Sequence, residues 1–142
     1  MQFENSMRGG YVKRIEKDTL RAKSLIKVAD DALIASTKEL EIKEHNYNSI
    51  LRELYEALRQ YCEAIGFLQG YKFESHEVIT YFLKEVLKEG RISEKFERYR
   101  RLRNGLNYYG RGIAKETAEI AKKEVPEIVN ELKQKYLSKL NK

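Results

Sequence analysis

RISEKFERYRRLRNGLNYYGR, from Arg91 to Arg111, is the stretch on which the reading of the whole chain turns. As a helix it carries an apolar stripe at Phe96, Tyr99, Leu102, Leu106 and Tyr109 that runs on to Ile113, in the steps of three and four that one face of a 3.6-residue turn requires. That spacing predicts a core-facing helix. At about 100° per residue, Arg100, Asn104, Asn107 and Arg111 fall on the opposite side, with Arg103 and Tyr108 on its flanks. The stretch holds seven Arg or Lys against two acids, a local +5 in a chain of net +6, so most of the charge imbalance sits on this one helix.

Working back from it, Ser93 reads as its N-cap, with Glu94 in the first turn where the helix dipole favours an acid. The segment before it, from Ser75 to Gly90, reads as a short helix with Ser75 as cap and Val78, Ile79, Phe82, Leu83 and Val86 inward. Tyr47 to Leu68 shows a longer helical stripe that Gly70 is suited to end in a left-handed turn, and Asn46 or Asn48 is placed to cap its start. From Val12 to Leu40 a further pattern of threes and fours predicts a long first helix, whose Ala, Ser and Thr positions let a neighbour approach closely.

After the basic helix, Gly110 and Gly112 precede a last long helix with Ala118, Ala121, Val125, Ile128 and Leu132 on one face. Pro126 predicts a kink or a break there. No strand-like alternation and no repeat is visible. The expected fold is an all-α antiparallel bundle of about five helices: residues 1–10 form a flexible leader, loosened by Gly9 and Gly10 although Phe3 and Met7 could dock, and residues 11–142 form a single domain.

Composition excludes several function classes. No run approaches the roughly 18 apolar residues of a membrane span, and MQFENSMRGG has no signal-peptide core, so a cytoplasmic protein is expected. The single Cys62 forbids an intrachain disulfide and reads as buried filler. His45 and His76 lack partners at ligand spacing, so neither a metal nor another cofactor is expected. His76 reads as a structural first-turn residue. Phosphate loops and nucleophile elbows are absent. The tyrosines, among them Tyr47, Tyr61, Tyr99 and Tyr136, read as core residues whose hydroxyls reach the surface.

The basic helix therefore carries the functional reading. Arg is a planar, permanently charged donor suited to phosphate oxygens, so Arg100, Arg103, Asn107 and Arg111 could hold a nucleotide or an RNA backbone. The competing reading is a solvated surface whose arginines find Glu partners elsewhere. Gly105, inside the helix, points to close approach of another backbone.

RNGLNYYG, from Arg103 to Gly110, resembles the Arg-Asn-x-x-x-His motif of HEPN-domain proteins, small helical bundles common in prokaryotes. The order of helices and the GYKFESH segment, where the family often has a similar Gly-Tyr and Ser-His pair, extend the likeness over roughly residues 11 to 140. The resemblance implies a homodimer with the two motif helices lining a shared cleft. It implies a metal-independent RNase, or an inactive relative partnering a small nucleotidyltransferase in a toxin–antitoxin pair. It places Arg103, Asn104 and Tyr108 at the catalytic positions, with Tyr108 where the family has His. A phenol with a pKa near 10 is a poor base for a ribose hydroxyl at neutral pH. Three expectations follow: an RNA- or nucleotide-binding dimer with or without cleavage, a non-catalytic partner of a nucleotidyltransferase, or a plain structural bundle.

Overall fold

Helix α3 (Tyr47–Gln69) forms the centre of the molecule. Leu51, Leu54, Tyr55, Leu58, Tyr61 and Ile65 are all at most 1% exposed, so this helix is apolar on more than one face. Such a helix must be covered on several sides. Helices α2 (Thr19–Ile34) and α6 (Lys115–Leu132) pack along it, and α5 (Gly90–Tyr108) and the short α4 (Glu77–Tyr81) cover the remainder. The structure, a computed structural model, describes residues 1–39, 43, 46–108 and 112–141, and of residues 38, 39, 107, 108 and 141 the backbone alone. It is the expected all-α bundle, with six α-helices among the described residues and π-helical turns extending α2, α4 and α6.

The close seam predicted on α2 is present. Ala22, Ala29 and Ser36 are fully buried, and Tyr61 of α3 donates its hydroxyl to Asp30. Lys133 reaches the same carboxylate at 2.6 Å and lies over the Tyr61 ring, tying α2 and α3 to the turn that follows α6. Gly70 closes α3 at φ +87, as its position predicts.

The first helix begins later than Val12. Val12–Arg14 is a strand, β1, antiparallel to β2 (Tyr71–Phe73), with Val12 opposite Phe73 and Arg14 opposite Tyr71. The left-handed turn at Gly70 sends β2 back alongside β1, and the Gly70 carbonyl accepts from the Ile15 N–H at 2.9 Å. Three-residue strands are too short to show an alternation. Asp18 then caps α2, accepting from the Arg21 N–H at 3.0 Å.

The expected leader is likewise a helix, α1 (Gln2–Arg8). Its first free N–H groups, those of Gln2 and Phe3, donate to the Glu85 carboxylate, which acts as the cap that Met1 lacks. Phe3 is buried, edge-on to Tyr71 at 5.2 Å and 5.8 Å from Phe82.

Two further expectations are corrected near the basic helix. α5 starts at Gly90 rather than at Ser93, and the buried Ser93 hydroxyl donates instead to the Thr80 carbonyl, joining α5 to α4. Of the kink or break expected at Pro126, the break is absent, since α6 runs from Lys115 to Leu132 with the proline inside it. Ser75 does accept from the Glu77 N–H at 3.2 Å, at the start of α4. No helix among the described residues is long and apolar enough to cross a membrane.

Candidate functional site

α5 buries Phe96, Tyr99 and Leu106, as its stripe predicts, with Leu102 half-buried beside them. Tyr109 lies outside the described residues. Tyr99 sends its hydroxyl across to Glu124 of α6 at 2.5 Å, and Lys95 joins the same carboxylate at 3.0 Å. Arg91 pairs with Glu131 of the same helix. Arg91 and Lys95 of the basic stretch are thus matched by acids that lie far away in sequence.

Arg100 is a correction to the open polar face read from the helix projection. Its side chain is only 16% exposed, held by Glu97 through bonds of 2.7 and 3.0 Å while α4 covers that side. Glu97 also accepts from Thr80 at 2.7 Å and from Arg101 at 2.9 Å. Burial alone would raise its carboxyl pKa, but the hydrogen bonds from Arg100, Thr80 and Arg101 override this and hold it at about 2.

Arg103 is placed differently. Its guanidinium lies over the Tyr55 ring, 5.9 Å from the centroid, and no carboxylate pairs with it among the described residues. The Tyr55 hydroxyl is 3.3 Å from Nδ1 of His76, at the start of α4. Arg59, one turn after Tyr55 on α3, completes the group and is itself held by Glu56 and Glu63. The structure therefore brings Arg59, Arg100 and Arg103 together around one Tyr–His pair. Burial and then these three cations hold His76 neutral, with its pKa down at about 4. Burial raises the Tyr55 phenol despite the same arginines.

His76, read as structural from the sequence, is thus the titratable centre of the cluster. Tyr55 and Arg59 carry no signal that sequence reasoning could use, because an i,i+4 Tyr and Arg on a helix has no partner until α4 and α5 pack on it. Asn104 is half-buried on α5, next to Arg103. The Asn107 and Tyr108 side chains, and all of Arg111 and His45, lie outside the described residues.

On the other side of α5 runs a groove of about 550 Å³, lined by Arg98, Arg101, Leu102, Gly105, Gly112 and Ile113 among others. The glycine inside the helix forms part of its floor. Cys62 is fully buried and burial raises its thiol, so it fills the core. Among the described residues no three His, Cys, Asp or Glu side chains gather as a metal set. In comparison with known proteins, no family model, no curated protein and no solved structure matches the chain.

Proposed function

We propose that the protein is a HEPN-like homodimer that binds RNA or a nucleotide through α5, with Arg103 as its principal phosphate contact. The observation that carries this reading is the Arg103 guanidinium, without a carboxylate among the described residues and backed by Arg59 and Arg100. Arg59 and Arg100 are already paired with Glu56, Glu63 and Glu97, so Arg103 is the cation of this group left to meet an anion. Asn104 is the neighbouring polar group of the motif, and Asn107, Tyr108 and Arg111 follow it in sequence. In the dimer, a second copy packs along the groove at Leu102 and Gly105, leaving the Arg103 side of α5 to the anion.

Binding of single-stranded RNA at low salt, followed by fluorescence anisotropy, tests the reading. The association constant should fall steeply with added salt, and Arg103→Ala should weaken binding about tenfold, the worth of one charge-assisted contact. RNA cleavage is the stronger form of the proposal, and Tyr108→His should raise it by supplying a base active near neutral pH. A purified protein that neither binds nor cuts RNA at low salt ends the proposal.

The groove favours a second reading, a non-catalytic interaction protein that partners a small nucleotidyltransferase. Leu102 and Ile113, with Arg98, Arg101, Glu94 and Glu97, line the mixed apolar and charged surface usual for protein contacts. Co-purification lost on reversing the charges of Arg98 and Arg101, with RNA binding intact, would favour it over the first.

A further inference from the structure

We infer that the cleft between α1 and α4 takes one guanine base of a single-stranded RNA, with the Glu77 carboxylate as its recognition group and Tyr11 as its stacking partner. This rests on the reading of the protein as an RNA binder and names the base that it selects.

The cleft holds about 340 Å³, at the small end of ligand pockets, which run from roughly 300 to 1,000 Å³. α1 supplies Gln2 and Asn5, the α4 segment supplies Ser75, Glu77 and Tyr81, and Tyr11, between α1 and β1, completes the lining that matters here. Among the described residues its one charged group is Glu77, a carboxylate that accepts hydrogen bonds and repels a phosphate.

Glu77 is only partly engaged. Its Oε1 accepts from the Tyr81 hydroxyl at 2.9 Å, and Oε2 has no partner among the described residues. A carboxylate so placed matches two neighbouring donors. Of the four RNA bases, guanine offers them on its Watson–Crick edge, in N1–H and the 2-amino group. Adenine turns an acceptor, N1, to the same place, uracil sets its single N3–H between two carbonyl oxygens, and cytosine pairs its amino group with the acceptor N3. Each of these puts a lone pair against the carboxylate, which weakens binding.

The other side chains suit the rest of the guanine edge. The Ser75 oxygen accepts from the Glu77 N–H at 3.2 Å, which leaves its hydroxyl proton to donate. The Asn5 Oδ1 accepts from Arg8 at 3.3 Å, which leaves its NH2 to donate. Guanine O6 and N7 are acceptors that such donors satisfy.

Tyr11 meets the face of the base. It is 58% exposed, yet its backbone is held on both sides, the N–H by the Ser6 carbonyl at 2.9 Å and the carbonyl by the Glu74 N–H at 2.8 Å. Its ring rests against Gly9, where a Cβ would lie 3.0 Å from a ring carbon. An exposed ring already held in place stacks a base at little cost in ordering.

The cleft also adjoins the Arg103 cluster. His76, between Ser75 and Glu77 in the chain, is joined to the Tyr55 hydroxyl at 3.3 Å, and Arg103 lies over the Tyr55 ring. The cleft and the Arg103 site therefore share the turn that begins α4.

Fluorescence anisotropy at low salt tests the inference with a uridine hexanucleotide and with the same hexanucleotide carrying one guanosine, adenosine or inosine. One guanosine should tighten binding about tenfold, the worth of one stacked base, and one adenosine should not. Inosine keeps N1–H but lacks the 2-amino group, so it should bind several-fold more weakly than guanosine. In Glu77→Gln the ratio of guanosine to uridine affinities should fall to about one, and in Tyr11→Ala it should fall several-fold. Equal affinity for all four hexanucleotides, a preference for adenosine, inosine that binds as tightly as guanosine, or a guanosine preference that persists in Glu77→Gln overturns this inference and leaves RNA binding standing. Failure of every hexanucleotide to bind overturns both.

Discussion

The Tyr55 hydroxyl stands 3.3 Å from Nδ1 of His76, joining the middle of α3 to the first residues of α4. The Tyr55 ring also packs 5.6 Å from Phe96 and lies beneath Arg103, so one side chain connects the core to the charged cluster. A change in the protonation of His76 therefore acts on a junction of three helices.

The first prediction concerns acid stability. The folded pKa of His76 is depressed to about 4 from an ordinary 6.5, chiefly by burial and then by Arg59, Arg103 and Arg100. Between these values the unfolded chain binds a proton that the folded one does not, so stability falls as pH drops from about 6.5 towards 4. The ring is partly exposed, and solvent screening reduces the loss to about 1 kcal/mol. Urea unfolding midpoints should decline across this window, and the decline should flatten in His76→Asn.

The second concerns Glu97, which holds Arg100, Arg101 and Thr80 at once. Glu97→Gln frees two arginines next to the proposed site. RNA affinity should rise several-fold, and the slope of log affinity against log salt should steepen by about one. Stability should fall by about 1 kcal/mol, because a partly exposed ion pair and the link to Thr80 are lost. An unchanged salt slope would place the RNA away from this end of α5.

A third tests the junction of α3 with the sheet. Gly70 has φ +87, and a Cβ there would lie 2.9 Å from the Ile15 carbonyl oxygen, a backbone atom that cannot swing aside. Gly70→Ala should cost about 2 kcal/mol in thermal or chemical unfolding, from the strained backbone angle and the loss of the Ile15 contact. At Gly10, also at positive φ but in open space, alanine should cost less.

Phe3 gives the fourth. It is 3% exposed against Tyr71 and Phe82, and removing a buried ring costs about 3 kcal/mol. Phe3→Ala should detach α1, and hydrogen exchange should accelerate at Gln2 and Phe3, whose N–H groups are now held by Glu85. If exchange there is unchanged, α1 does not depend on this anchor.

The regular spacing of Phe96, Tyr99, Leu102 and Leu106, and of the stripe along α3, was legible because helical periodicity is local and repeats every turn. The cap at Ser75 and the left-handed end at Gly70 were legible for the same reason, each depending on one residue and its immediate neighbours. Ser93 misled because its hydroxyl can satisfy a helix start or a carbonyl of a packed neighbour, and the second option exists only once α4 lies beside it. Val12–Arg14 misled because its partner strand is almost sixty residues away in the chain.

The candidate site divides along the same line. Sequence by itself determined that the chain is helical, that its positive charge is concentrated on one helix, and that Arg103 and Asn104 lie on it together. Only the tertiary structure decided which cations are neutralised, since Glu124 and Glu131 reach Lys95 and Arg91 from α6, and Glu97 turns Arg100 inward. It alone brought His76 and Tyr55 to Arg103. The physical reason is range: a helical turn fixes neighbours three or four residues away, whereas field and burial at a side chain depend on every helix packed around it.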